Sequence, residues 1–311
     1  MLSRRHLLPL LPGFALGALP ALSGCSTPLP LAPASPARAD PDAVRWLRES
    51  AEAHGAAAYR RLADVNVAFE GEWPALIGRI QPEIVDAAYR QRSEERMLPA
   101  ARIVAQAHRG PGGRKQVWRR AGRAPGELGE VAVWYDGTRA DAAGVRSAAA
   151  LVADCGALFL LGPLWLAERT LGADGPGAPE VSLNLGGRVV VEGRECQWVD
   201  AWLRPGLGQS ALDRVSIAVD RDDRTTRRLR FTLEGYPGTR GAVAEVDTYD
   251  HQRRHGVLWP MRSFERVVHP LGGLPAHDWR LVGLDVDRGY AAAALEGPEF
   301  SGAAAAPARR A

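Results

Sequence analysis

The spacing of hydrophobic residues changes several times along the chain, and each change predicts an element. From Pro41 onward Val44, Leu47, Ala51, His54, Ala58 and Leu62 recur at helical spacing, with Arg45, Arg48, Glu49 and Glu52 elsewhere on the cylinder. This is the pattern of one amphipathic helix of about 20 residues, entered through Asp40-Pro41. From Asp64 the period becomes two: Val65, Val67 and Phe69 alternate with Asn66, Ala68 and Glu70, which predicts a first strand with one buried face. Further β-rich runs at 90–97, 102–108, 116–120 and 131–135 are divided by the turn signals Gly110-Pro111-Gly112-Gly113 and Asp136-Gly137. Beyond Pro179 strands are expected at 181–185, 188–191, 195–203, 214–220, 227–234, 242–249, 258–267 and 279–287. The turns at Gly186-Gly187 and 220–223 make these consecutive hairpins, so the sheet should be largely antiparallel.

Residues 145–167 break the pattern, being long, apolar and rich in helix formers. Asp154 and the Gly162-Pro163 break argue for a buried central helix ending near Leu161, not a membrane span. The patch Leu158, Phe159, Leu160, Leu161, Leu164 and Trp165 is apolar on nearly every side, and a helix without a polar face must be covered by the sheet or by a ligand. Nine Trp stand against six Phe and six Tyr. Trp73, Trp118, Trp134, Trp165, Trp198, Trp202 and Trp259 fall within or beside predicted strands or the central helix. Any one of them reads first as core. As a group, with Phe231 and with Leu158, Phe159, Leu161 and Leu164 of the helix, they are the candidate lining of a cavity.

The N-terminus carries an address. Arg4-Arg5 precede an apolar run from Leu7 to Leu22, broken by Pro9, Pro12 and Pro20, which reads as a secretory signal over 1–24. Ser3-Arg4-Arg5 resembles part of a twin-arginine export signal. Leu22-Ser23-Gly24-Cys25 resembles the bacterial lipobox, whose cysteine becomes lipidated. The resemblance implies an anchor at Cys25 and, with Ser26 rather than Asp beside it, retention at the periplasmic face of the outer membrane. The Pro, Ala and Ser-rich stretch that follows, to residue 40, is expected to be a flexible tether extending up to about 3 Å per residue. One folded domain is expected over 41–299, and a small-residue disordered tail over 300–311.

Composition narrows the function. The 311 residues, 46% hydrophobic and 24% charged, are those of a folded protein. The net charge of +3 gives no electrostatic case for nucleic acid. Lys115 is the only lysine, in a turn-like setting unsuited to a phosphate loop or a Schiff base. Besides Cys25 there are Cys155 and Cys196; an oxidising compartment permits a disulfide between them, and two buried thiols fit equally well.

The order helix, strands, apolar helix, long antiparallel meander, behind a lipobox, resembles the LolA/LolB-like lipoprotein-localisation superfamily. The closest likeness lies in Ala244-Glu245-Val246-Asp247-Thr248-Tyr249-Asp250 followed by His255-Gly256-Val257-Leu258-Trp259-Pro260-Met261-Arg262, which looks like its "strand, x-x-G-x-x-x-P, strand" hairpin. That resemblance implies an α+β fold: a curved, mostly antiparallel half-barrel, with an N-terminal helix and the central apolar helix covering its concave face. It also implies a cavity for acyl chains. The protruding apolar loop of the outer-membrane receptor in that superfamily has no counterpart here, so lipoprotein insertion is not implied.

Catalytic and metal readings are weaker. His251 and His255 have i, i+4 spacing but lie between strands, without the Glu of H-E-x-x-H. Asp220, Asp222 and Asp223 read as a charged hairpin turn, since Arg224, Arg227 and Arg228 oppose a cation. Glu94 and Glu95 beside Arg92 and Arg96 read as solvated ion pairs, and His108, His269 and His277 as surface or strand histidines. No metal or cofactor is expected, nor is catalysis, although a periplasmic hydrolase with an unrecognised site is a third reading. The leading expectation is a lipid-anchored periplasmic protein binding an acyl chain, lipid or lipoprotein in an apolar cavity, with a role in envelope trafficking. The alternative is an envelope interaction or sensor protein whose cavity is filled by its own side chains.

Overall fold

The computed structural model describes residues 29, 31, 39–124, 126–171, 182–269, 272–300 and 304–308. The signal segment, Cys25, most of the tether, residue 181 and part of the tail lie outside the described residues. Helices α1 (Pro41–Ala53) and α2 (Ala56–Tyr59) lead into β1 (Val65–Glu72), followed by the short α3 (Ala75–Ile80) and α4 (Pro82–Val85). Strands β2 (Arg92–Leu98), β3 (Ile103–Gly110), β4 (Gly113–Arg120), β5 (Glu130–Tyr135) and β6 (Thr138–Arg139) come next, then α5 (Ala143–Leu161) and α6 (Pro163–Leu171). The second run comprises β7 (Ser182–Val191), β8 (Arg194–Leu203), β9 (Asp213–Asp220), β10 (Thr226–Thr232), β11 (Val243–Tyr249), the hairpin β12 (Gln252–Arg254) and β13 (Val257–Trp259), β14 (Arg262–His269) and β15 (Gly272–Val286).

Among the described residues, thirteen strands form one antiparallel sheet in the order β6-β5-β4-β3-β2-β1-β15-β14-β11-β10-β9-β8-β7. The sheet does not close, and with α5 across its inner face it is the α+β half-barrel expected. Two meanders meet where β1 pairs with β15, with Val65 opposite Val286.

Local chemistry explains most boundaries. Asp40 caps α1, its side chain accepting the Asp42 N–H at 2.9 Å, and Pro41 occupies the first helical position. The single long helix expected from the 3.6 period is split after His54. Gly55 sits at φ +92°, and a Cβ there would lie 2.2 Å from the Gly256 carbonyl oxygen, so the chain turns tightly under the β12–β13 hairpin. Gly186-Gly187, expected as a turn, is instead a bulge inside β7, where the register shifts between Leu185 and Arg188.

Period two divides the sheet into faces. The inner face carries Val65, Val67, Met97, Val117, Val133, Val199, Ile217, Leu229, Phe231 and Val246 against α1, α5 and α6. The outer face explains much of the arginine content: Arg230, Glu245 and Arg266 lie across from one another on β10, β11 and β14, with Arg266 also 2.8 Å from Asp247. Residues 304–308, assigned by sequence to a disordered tail, lie along β15 instead. The Leu284 N–H donates to Ala306 O at 2.7 Å, and the Ala305 N–H to Glu94 Oε2 at 3.0 Å. The physical reason is that β14 ends its pairing near Arg280, leaving the last part of β15 with unpaired edge groups.

One charge is buried on α5. Asp154 pairs with Arg119 at 3.0 Å, each about 2% exposed or less. Asp154 also accepts the Gly208 N–H at 2.8 Å, while Arg119 donates to Leu128 O and Gly208 O at 2.8 Å each. Helix, sheet and the β8–β9 connection are thereby tied at one point.

Candidate functional site

A cavity lies between α5 and the inner face of β1, β2, β3, β14 and β15, closed at the sides by the segment after β1 and the β10–β11 connection. It leaves about 80 Å³ for the centres of water-sized spheres. One water needs about 10–15 Å³ by that measure, so the space suits a few waters or a short apolar group.

The roof is apolar. Most of α5 is buried, but Val152, Gly156 and Phe159, spaced one turn apart, are only half-buried and line the cavity. Trp73 forms a wall, its Nε1 donating to Arg90 O at 3.1 Å. Its ring stacks on His277 at 3.5 Å between centroids with 6° between planes, and His277 meets Trp279 edge-on at 4.0 Å. Gly71 makes room for this group: a Cβ there would stand 2.6 Å from the Trp279 ring and 2.9 Å from His277 Nε2.

The floor is polar, with more polar groups than the apolar cavity expected from the sequence. Strand alternation brings Glu95 and Gln106 to the inner face as cross-strand neighbours, and Glu265 opposite His277. Glu95 Oε1 accepts from Ser93 at 2.9 Å, but Glu95 Oε2, Gln106 Oε1 and His277 Nε2 are buried with no hydrogen-bond partner in the protein. Burial raises the Glu95 carboxyl above the ordinary range, against the hydrogen bond from Ser93 and the charge of Arg90. Burial pushes Glu265 up to about 7, opposed by Arg90. Arg90 itself is lowered to about 10 by burial, against the charges of Glu95, Asp86 and Glu265, which raise it. Its Nη1 donates to Ile84 O and its guanidinium lies 4.7 Å over Trp73. His108 and His277 are driven well below the ordinary imidazole range by burial first and Arg90 second, so both are neutral. Beside them Lys115 is held by Asp86 at 2.7 Å.

Glu95 is therefore not the solvated ion-pair partner expected; Glu94, its neighbour, faces outward. His108 and His277 are buried rather than superficial, at 0% and 1% exposure.

The aromatic candidates divide sharply. Trp73 and Phe159 line the cavity, and Phe231 backs Phe159 at 5.6 Å between centroids. Leu161 and Trp165 line a smaller space of about 30 Å³ between α5, α6 and β2–β3, while Leu158 and Leu164 are plain core. Trp259 is fully buried, its Nε1 donating to Arg254 O at 3.0 Å. Trp118, Trp134, Trp198 and Trp202 are on the outer face: the first two lie under Leu295, Tyr290 and Phe300, and the others are covered by Arg230 and Arg214. The reason is parity, since each alternates with an inward Val or Ala on its strand. The missed residues, Glu95, Gln106, Glu265, His277 and Trp279, follow from the same count made relative to Val67, Met97 and Val246.

Cys155 and Cys196 are both free thiols, on opposite faces of the sheet, so no bridge joins them. Burial raises the Cys155 thiol well above its ordinary range, which keeps it protonated and a poor nucleophile. His251 packs edge-on against His54 at 5.9 Å, and His255 occupies the β12–β13 turn at φ +52°. Among the described residues no group of three or more His, Cys, Asp or Glu is placed to hold a metal.

No protein-family model and no curated protein sequence matches the chain. Solved structures similar to it include a DUF1329 family protein from Desulfovibrio piger, at 11% identity and TM-score 0.47, covering 82% of this chain and 96% of that one. A LolA superfamily protein from Nitrosomonas europaea matches at 10% identity and TM-score 0.39, covering 80% and 94%. The lipoprotein LppX from Mycobacterium tuberculosis matches at 13% identity and TM-score 0.25, covering 63% and 91%.

Proposed function

We propose that this chain is a binding protein of the bacterial envelope that holds the apolar part of a small amphiphile between α5 and the sheet. In this reading the segment 1–24 exports it, Cys25 anchors it to the periplasmic face of the outer membrane, and the stretch up to residue 40 is its tether. The observation that carries the reading is the stripe Val152, Gly156 and Phe159, which stays half-buried and faces the cavity within the otherwise buried stretch of α5 from Ala148 to Leu161. Each methylene buried against it contributes about 0.8 kcal/mol. The present volume takes a short chain or the end of a longer one, and a whole acyl chain requires α5 to move away from Trp73.

The test is native mass spectrometry with solvent extraction on the full chain purified from a bacterial envelope, beside Gly156→Leu, whose side chain fills the cavity. A non-covalent amphiphile on the wild type and none on the variant supports the reading. A wild-type chain that carries nothing and takes up no added 1-octanol overturns it. That outcome favours an interaction protein with a self-filled cavity, a reading to which the small volume also points.

A further inference from the structure

The polar floor is more demanding than an apolar ligand needs. Leaving buried acceptors without donors is costly, and a fold that only held hydrocarbon would gain by replacing them with aliphatic residues. Two acceptors, Glu95 Oε2 and Gln106 Oε1, are buried and unpartnered. They lie beneath Gly156, whose missing Cβ would stand 3.4 Å from the Gln106 side-chain nitrogen and 3.7 Å from Glu95 Oε2. Among the described residues neither Glu95 nor Glu265 forms an ion pair.

The charges around the cavity do not balance. Glu95 and Glu265 stand against Arg90 alone, since Lys115 is taken by Asp86 at 2.7 Å, Arg119 by Asp154 at 3.0 Å, and His108 and His277 are neutral. Burial favours the neutral form of both carboxyls in the free protein, and ionising the two together, as a bound cation would permit, leaves the cavity one positive charge short. We infer that the cavity floor is a subsite for a protonated amine carried on an apolar body, with the carboxyl groups of Glu95 and Glu265 as its acceptors. The inference rests on the reading that the cavity holds an apolar group. An ammonium supplies compact donors for the orphaned oxygens and the missing charge. A carboxylate ligand would add a further acceptor to a site already rich in them, and an alcohol brings a single donor and no charge.

The test is calorimetric titration of the full chain with octylamine, 1-octanol, octanoate and butylamine at pH 8.5. Octylamine is expected to bind at least about tenfold more tightly than 1-octanol or octanoate, as a charge-assisted hydrogen bond implies, and more tightly than butylamine. Glu95→Gln and Glu265→Gln should each lower octylamine affinity far more than 1-octanol affinity and so erase most of the preference for octylamine. Equal or tighter binding of 1-octanol or octanoate by the wild type overturns the amine subsite while the apolar cavity stands. If none of the octyl compounds binds, the cavity reading itself fails and the subsite falls with it. The wild-type panel decides the matter without relying on either variant to fold.

Discussion

Within three residues, α5 touches two buried polar sets that the protein treats in opposite ways. Asp154 meets Arg119 with every strong donor and acceptor answered by sheet or loop. Two residues on, beneath Gly156, Glu95 and Gln106 keep oxygens that nothing in the protein answers. A buried charge with its partners in place fixes a helix against a sheet. A buried acceptor without one weakens the free protein unless another molecule completes it. The first set belongs to the architecture, and the second has the character of a receptor.

The largest effect that separates the two sets is expected from Asp154→Ala. It strands the Arg119 guanidinium in the core and should cost about 3–5 kcal/mol, read from the denaturant midpoint. A loss below 1 kcal/mol would make the pair ornamental and remove the contrast. Glu265→Gln tests the other set with the opposite sign. Because Glu265 titrates at about 7 in the folded chain against an ordinary 4.5, the native state holds the extra proton between those values. Wild-type stability from this group is full below about pH 4.5 and is lost as the pH climbs through about 7. Relative to wild type, the Gln variant should therefore gain on the order of 3 kcal/mol between pH 4 and pH 8. Asp213, raised to about 6 chiefly by burial, is common to both chains and cancels. Parallel pH curves for the two proteins would refute the assignment.

Smaller changes sharpen the boundary of the receptor half. Gly156→Leu should abolish 1-octanol binding while lowering stability by about 1–3 kcal/mol, the usual range for overpacking. A variant that still binds the alcohol would move the ligand elsewhere. Trp198→Phe, on the outer face under Arg230, should change octylamine affinity by less than about twofold, since the affected contact is a single exposed-side cation–π pair. A larger loss in titration would mean that the two faces communicate.

Much of this architecture was legible in the sequence because period is a one-dimensional signal. Val65, Val67 and Phe69 announce a strand, and the Gly162-Pro163 break ends α5 where expected. Parity is a two-dimensional one: whether Trp118 or Val117 faces α5 depends on which neighbour is already known to be inside. Counting aromatic residues without that reference put Trp118, Trp134, Trp198 and Trp202 on the wrong face and sent Glu95 to solvent. Gly55 and Gly186 were harder still, since a helix break and a bulge are decided by what approaches them, the Gly256 carbonyl and the Trp198 side chain. The polar floor was hidden for the same reason, its members coming from β2, β3, β14 and β15.

The joint between β1 and β15 has a kinetic consequence. Every other neighbouring pair in the sheet is made by strands close in the chain, whereas Val65 must wait for Val286. Local hairpins form early and long loops close late, so the two meanders are expected to assemble as separate units before they dock. Glu95 belongs to one unit, Glu265 and His277 to the other. The complete ligand floor thus comes into existence only at the last folding step, and a chain truncated before β15 would carry all of α5 and Glu95 yet lack His277, Trp279 and the joint that brings the two halves of the floor together.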